Sequence, residues 1–552
     1  MLAAPLVIYG AVCDADATIN AMSASVTPPV SDSAATPLAS PRNVSVTDAV
    51  QLAISHFQTG NRAEVEGLCL KIMEVEPENP DALHLTGVLA HLAGKQGIAL
   101  ALIEKAVRRN PLHAQFRYNL GVVYSALHQG EAALAEYREA ARLEPGHTSA
   151  WLNLGNALLE ADQLDEAIAA YQRHLLNKSH DPAATLALAI ALYSARRFAE
   201  AAPQYEKSVA MAPADARAHW EQAHLLLMMR NYSRGWEEYE YRFAALGSNV
   251  WNYSFPFPRW NGEPLDGKTI VLHGEQGLGD EIMFASIYLE VMALAKHTII
   301  CCQPHLAPLF RTSFPGATVH EQLRADEDAW TRQPVPWLNT TAPIHYQIPF
   351  GSLARIRRGQ EADFPAHRGY LKSDAAKTRV WAAKLGAVTG LRVGLCWAAN
   401  PAIQDAVAAR RSRKKSITLQ TLEPLIEVEG ASFVSLQTWE AAKQVAEAAP
   451  GTRARVLDVS TDLQDFSDTA ALMMNLDLII TVDTSVAHLA GALGRPVWIL
   501  LPWQADWRWH DRGDKSEWYP SARLYRQSAL GDWAAAVEQV KKDLRRKANS
   551  SA

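Results

Sequence analysis

The feature that most constrains this chain is a period of 34 residues. Gly87, Gly121, Gly155 and Ala189 recur at that interval, with Ala53 one step before them and Ala223 one step after. Pro77, Pro111, Pro145 and Pro213 keep a second register, broken only by Ser179, while Tyr137, Tyr171, Tyr205 and Tyr239 keep a third. Three registers held in step over several periods exclude chance. They also exclude one central core for this half, because so short a unit cannot bury its apolar face alone and must stack on its neighbours.

These registers resemble the tetratricopeptide repeat, a helix-turn-helix unit with small residues where its two helices touch and a proline ending the second. The resemblance implies six units, 46–79, 80–113, 114–147, 148–181, 182–215 and 216–249, of which the best formed opens with Ala150-Trp151-Leu152-Asn153-Leu154-Gly155. Stacked units make a superhelix whose concave face usually takes a protein or peptide segment; a plain spacer is the alternative. The sixth unit contains WEEYEYRF, Trp236 to Phe243, and its aromatic and charged side chains are expected to cap the array and dock it onto the carboxy-terminal half.

Outside the repeats, composition mainly excludes. At 552 residues the chain exceeds what one core can serve, and a net charge of −6 leaves no basic footprint for nucleic acid. Five cysteines, Cys13, Cys69, Cys301, Cys302 and Cys396, contain no C-x-x-C, so neither a disulfide framework nor a zinc site is expected and a reducing, cytoplasmic setting fits. The opening MLAAPLVIYGAVC has no Lys or Arg ahead of it and is too short to span a bilayer. Residues 1–45 read as a disordered leader rich in Ala, Ser, Thr and Pro, and Met22 is an alternative start.

After an aromatic linker, 250–266, the period changes to strands alternating with helices, which predicts parallel α/β layers. A strand over Thr269–His273, a glycine-rich turn at 274–279, a helix over 280–295 and a strand over 298–302 begin one lobe, 267–375. A second series starts at 392–397, continues through 433–436 and 456–459, and reaches Leu478–Val482, making the second lobe, 376–552. Two doubly wound sheets would face each other across a cleft at the carboxyl ends of their strands.

Two turns in these lobes carry the chemistry. Gly274, Gly277 and Gly279 lack the G-x-G-x-x-G order of a dinucleotide fingerprint, but they let the backbone approach a ligand closely. Asp280 follows them, either as a cap or first-turn acid or as a cleft carboxylate that takes a proton from an acceptor hydroxyl. The other turn, Asp483-Thr484-Ser485, joins the strand Leu478–Val482 to a helix of small residues ended by Gly494. It presents backbone N–H groups and the positive end of a helix dipole, which suits a phosphate or serves as an ordinary N-cap.

Taken together, GLGDEIMFASIYL (277–289) and TVDTSVAHLAGALGRPVWIL (481–500) resemble the heptosyltransferase family of GT-B glycosyltransferases, in the bacterial variety fused behind tetratricopeptide repeats. The resemblance implies an inverting sugar transfer from a nucleotide-sugar donor without a metal. It makes Asp280 the general base and assigns the donor phosphates to Asp483, Thr484, Ser485 and His488, beside Gly277 and Gly279. The family's W-A-G-N-P landmark reads Trp397-Ala398-Ala399-Asn400-Pro401 here, followed by an insertion up to Lys415. Lys415 aligns as the phosphate cation, with Arg411 and Arg413 as rivals, and Gln437 falls on the nucleoside side. Structural readings stand beside these: a solvated basic loop, a loop glutamine and a buried histidine. Trp503, Trp507, Trp509, Trp518 and Tyr519 read as packing between lobes or as sugar platforms. An interaction scaffold with an inactive transferase half is the main rival, and a nicotinamide-dependent oxidoreductase is the weaker one.

Overall fold

The computed structural model describes residues 44–247, 250, 255–321, 343–364, 368–400 and 412–551. The leader expected over 1–45 lies outside the described residues except for its last two positions, and so does the rival Arg411. The chain forms two compact units that divide after Pro213.

The first unit is five antiparallel helix pairs, from Val46–Gln58 with Arg62–Val75 to Pro182–Ser194 with Phe198–Met211. The 34-residue registers have direct steric causes. A Cβ on Gly121 would lie 2.7 Å from the Tyr137 ring, and one on Gly155 would lie 2.6 Å from the Tyr171 ring. Glycine in the first helix therefore makes room for tyrosine in the second. A further register appears only in the structure: Gly60, Gly94, His128, Asp162, Arg196 and Arg230 all have positive φ, from 59° to 78°. Each ends the first helix of a pair in the left-handed conformation, and the next N–H reaches back to a carbonyl of the last turn, as Gln129 does to Tyr124. Between the first three pairs lies a cavity of about 170 Å³ lined by Phe57, Leu85, Val88, Phe116, Asn119 and Val123, among others.

The second unit begins with the sixth pair, Ala216–Met228 and Tyr232–Tyr239. Two parallel sheets follow. Strands β1 (Thr269–His273), β2 (His297–Cys302), β3 (Thr318–Glu321) and β4 (Tyr346–Pro349) lie in the order β3-β2-β1-β4. Strands β5 (Leu391–Cys396), β6 (Ala431–Ser435), β7 (Val456–Leu457), β8 (Leu478–Val482), β9 (Val497–Leu501) and β10 (Ala522–Arg526) lie in the order β10-β9-β8-β5-β6-β7. The run from β5 to β7 extends to one side and the run from β8 to β10 to the other, so the order reverses between β5 and β8. An open α/β sheet leaves a crevice at that point, outside the carboxyl ends of its strands.

Strand boundaries at β1 and β8 are those the apolar runs predict. The single helix expected over 280–295 is instead Leu278–Phe284, a 3-10 turn at 285–287 and Tyr288–Leu294. It starts two residues early because Gly277 is the N-cap. Asp280, three residues on, accepts the Gly277 N–H at 3.2 Å and so caps from inside the first turn.

Candidate active site

Asp280 is therefore placed by the turn after β1, and its second oxygen is left to other partners. That oxygen accepts from Arg508 Nη2 at 2.5 Å. Arg508 belongs to the short turn Trp507–Trp509 beyond β9, and its other terminal nitrogen reaches Asp506 at 2.9 Å. Its Nε is buried with no hydrogen-bond partner among the described residues. Burial raises the Asp280 carboxyl above its ordinary range, and the nearby Arg508 and Lys415 charges only partly offset that.

The second turn stands opposite. Thr484 caps the helix Ser485–Ala492 by accepting from the Val486 N–H at 3.3 Å, and Ser485 is its half-exposed first residue. Asp483 is buried, 3.8 Å from Lys415 Nζ and 4.0 Å from His488 Nε2. Burial alone would raise its pKa; the Lys415 and Arg508 charges outweigh burial and hold the carboxyl below the ordinary value. Lys415 ends a helical turn at 412–415 that brings its side chain to this carboxylate, whereas Arg413 on the same turn is exposed. Of the basic residues in the described part of the insertion, Lys415 is thus the one paired with Asp483.

His488 is neutral. Burial and the Arg508 charge push its pKa down to about 3. Its tautomer follows from a chain of hydroxyls. Tyr370 donates to the Ile282 carbonyl at 2.7 Å and so accepts from Tyr519, whose oxygen is left to accept the His488 Nδ1–H at 2.9 Å. Nε2 is then a bare acceptor facing the Asp483 carboxylate. Trp509 stacks on the same ring, with centroids 5.3 Å apart.

Three expectations from the sequence change here. Gly279 has a packing reason: a Cβ there would lie 2.9 Å from His488 Cδ2, so glycine lets the two turns touch. Gln437 is not free for a nucleoside. Its buried carboxamide accepts from the Trp397 and Ala398 N–H groups at 3.0 and 2.9 Å and donates to the Ala398 carbonyl at 3.0 Å, tying the loop after β5 to the end of β6. The pair Asp483 and His488, one ionised and one neutral, offers acceptors and no positive charge, so Lys415, Arg508 and the helix start carry any attraction for phosphate.

The sixth helix pair braces this site from within the same unit. Arg242, fully buried, donates to both oxygens of the fully buried Glu275 at 2.8 and 2.9 Å and to Ser352 at 2.7 Å. Tyr239 bonds Gln276, and Trp236 packs edge-on against Trp507 at 5.3 Å. The glycine-rich turn and the Arg508 turn therefore both rest on aromatic and charged residues of the last repeat. Trp507 and Trp518 are packing residues, as Trp518 also meets Phe284 edge-on. Sequence reasoning missed Arg508, because only its flanking tryptophans stand out. Among the described residues, no group of three His, Cys, Asp or Glu is placed to hold a metal ion.

Residues 435–500 match the family model of glycosyltransferase family 9 (heptosyltransferase), and residues 92–127, 123–182 and 186–247 match a tetratricopeptide-repeat model. The chain thus joins tetratricopeptide repeats to an α/β half that carries a glycosyltransferase family 9 match over 435–500. The match to family 9 contains the Asp483 turn and Gln437, while Asp280, Lys415 and Arg508 lie outside it. Protein FlbA of Caulobacter vibrioides is 29% identical over 321 residues, 56% of this chain and 52% of that protein. The chain thus spans about half the length of the curated relative it matches.

Solved structures similar to the repeats include pilF of Pseudomonas aeruginosa, at 20% identity and a TM-score of 0.33 over 37% of this chain and 93% of that one. YrrB, described as a tetratricopeptide-repeat protein with an unusual peptide-binding site, is similar at 19% identity and a TM-score of 0.31 over 33% of this chain and 93% of that one. In the part the structure describes, no helix of the repeats or of the family 9 domain is long and apolar enough to cross a membrane.

Proposed function

We propose that this chain is an inverting, metal-independent GT-B glycosyltransferase that moves a sugar from a nucleotide-sugar donor to an acceptor hydroxyl on a protein held by its repeats. The observation that carries the reading is the meeting of the two turns: Gly279, next to the Arg508-bonded carboxylate of Asp280, packs against His488 of the helix that starts after Asp483. The acceptor hydroxyl gives its proton to Asp280 as its oxygen attacks the anomeric carbon. A single in-line displacement forms that C–O bond while the bond to the diphosphate breaks, which inverts the carbon. Lys415, Arg508 and the backbone at Ser485 stabilise the departing diphosphate. The Asp483 carboxylate and His488 Nε2 accept hydroxyls of the donor sugar, which orients the ring for attack.

Arg508 donates to Asp280, so the same guanidinium that stabilises the departing diphosphate also sets the charge around the base.

Repeats of about two hundred residues serve a transferase best by holding a polypeptide and raising its effective concentration at the cleft. The largely apolar cavity between the first three pairs, with Asn119 at its wall, supports a peptide as occupant.

The test is a transfer assay against a panel of nucleotide sugars, with EDTA present, on the whole chain and on a form lacking 46–213. Retention of the sixth pair keeps Arg242 and Trp236 under the site. Transfer to a protein acceptor by the whole chain, with only donor hydrolysis by the shortened one, is the expected result. Loss of activity in EDTA that Mg²⁺ restores would overturn the metal-independent mechanism, and equal transfer by both forms would make the repeats an anchor. A protein that binds no nucleotide sugar would return the scaffold reading.

A further inference from the structure

Trp439 is out of place by two ordinary criteria. Its side chain is 65% exposed, and its backbone has φ 62° and ψ −158°. That conformation is essentially reserved for glycine, and a bulky residue persists there only where the surroundings over-determine it. The surroundings do so. Gln437 Nε2 donates to the Thr438 carbonyl at 3.1 Å on one side, and the Ala442 N–H donates to the Trp439 carbonyl at 3.1 Å on the other. An indole held in strain and turned toward solvent gains nothing for the fold.

Its location gives it a use. Trp439 follows the carboxyl end of β6, next to β5 in the sheet, and β5 in turn borders β8, whose carboxyl end carries Asp483. From β8 to β6 is two inter-strand steps, about 10 Å. A nucleoside diphosphate laid across the crevice with its phosphates at the Ser485 helix start extends its base toward β6. The Gln437 carboxamide, spent on the loop after β5, fixes the floor of that crevice and the approach to Trp439 at the same time.

We infer that Trp439 is the platform on which the base of the nucleotide donor stacks. This rests on the proposed nucleotide-sugar donor. Stacking on an indole face tolerates any base, so Trp439 supplies affinity, and the choice among bases falls to other groups.

The experiment is calorimetric titration of the full chain with ADP, GDP, UDP, CDP and dTDP, and with inorganic pyrophosphate as the base-free control. Trp439→Ala should weaken the preferred nucleoside diphosphate roughly 10- to 100-fold, the size of one base–aromatic stack, and leave pyrophosphate unchanged. Trp439→Phe should keep most of the affinity. Trp439→Gly should melt at a higher temperature than the parent, because glycine relieves the strain, and yet bind as weakly as the alanine variant. Parent-like affinity in the alanine or glycine variant overturns the inference, as does an equal loss for pyrophosphate. If the parent binds none of the five diphosphates, the nucleotide-sugar reading fails and takes this inference with it.

Discussion

Arg508 donates to Asp280 at 2.5 Å across 228 residues of sequence, joining the turn after β1 to the turn after β9. This pair opposes the effect of burial on the proposed base. Burial pushes the Asp280 carboxyl up and Arg508 pulls it down, with burial the larger effect. Removing the cation must raise the pKa further. A general base works only when ionised, so activity falls as pH drops through that value. In Arg508→Ala the acid limb of the kcat/KM profile should therefore move to higher pH, by about one to three units, the range for a carboxylate losing an arginine neighbour. Arg508→Lys should move it less. An acid limb that does not shift would remove Arg508 from the base's environment.

Lys415 should matter for binding rather than proton transfer. Lys415→Ala is expected to weaken nucleoside diphosphate binding by about 1.5 to 3 kcal/mol, as for a lost hydrogen bond to a charged group. Arg413→Ala, on the exposed side of the same turn, should change little. Calorimetric titration distinguishes them, and the reverse ranking would reassign the phosphate cation to Arg413.

The buried pair of Arg242 and Glu275 ties the last repeat to the glycine-rich turn, and both side chains are fully buried. Arg242→Ala strands an uncompensated carboxylate and should cost about 3 to 5 kcal/mol in urea unfolding of the second unit. Replacing both partners with apolar residues of similar size should cost much less, because desolvation of the ions disappears with their attraction. A mild single substitution would show that water reaches Glu275.

Glu281 lies in the helix that follows this turn with no cation against it among the described residues, and burial pushes its carboxyl up to about 8, although the Gln303 N–H at 3.2 Å pulls the other way. The native state keeps this proton while the unfolded chain, with an ordinary glutamic acid, has already lost it. Between about pH 4.5 and 8 the unfolded state thus binds fewer protons, so stability falls as pH rises through that window. Glu281→Gln should flatten the slope and melt higher than the parent at pH 8. An unchanged slope would mean that Glu281 is ionised throughout.

Much of the architecture is legible in the residues alone. The small-residue, tyrosine and proline registers specify stacked helix pairs, because a side chain at one position must leave room for another 16 residues on, as Gly155 does for Tyr171. The boundaries of β1 and β8 follow from apolar runs bounded by polar turns. Asp280 and Asp483 stand out for the same reason, each being the acid where a strand gives way to a helix. These are local signals. Spacing along the chain sets them, and folding only reads them out.

What the sequence left open depends on which distant turns come together. Gly279 shows a need for close approach, but the partner, His488, is named only once the two lobes pack. The left-handed register continues through His128, Asp162, Arg196 and Arg230 after two glycines, so residue type alone hides it. Arg508 carries no motif; its burial against Asp280 and Asp506 makes it part of the site. Trp439 is read as one more tryptophan until its backbone and exposure are known. The sequence by itself determined the repeats, the layers and the two acidic turns, because each is written in contacts between near neighbours. Only the tertiary structure decided which charge faces which carboxylate, since electrostatic effects depend on distance and burial, and both arise from the packing of segments more than two hundred residues apart.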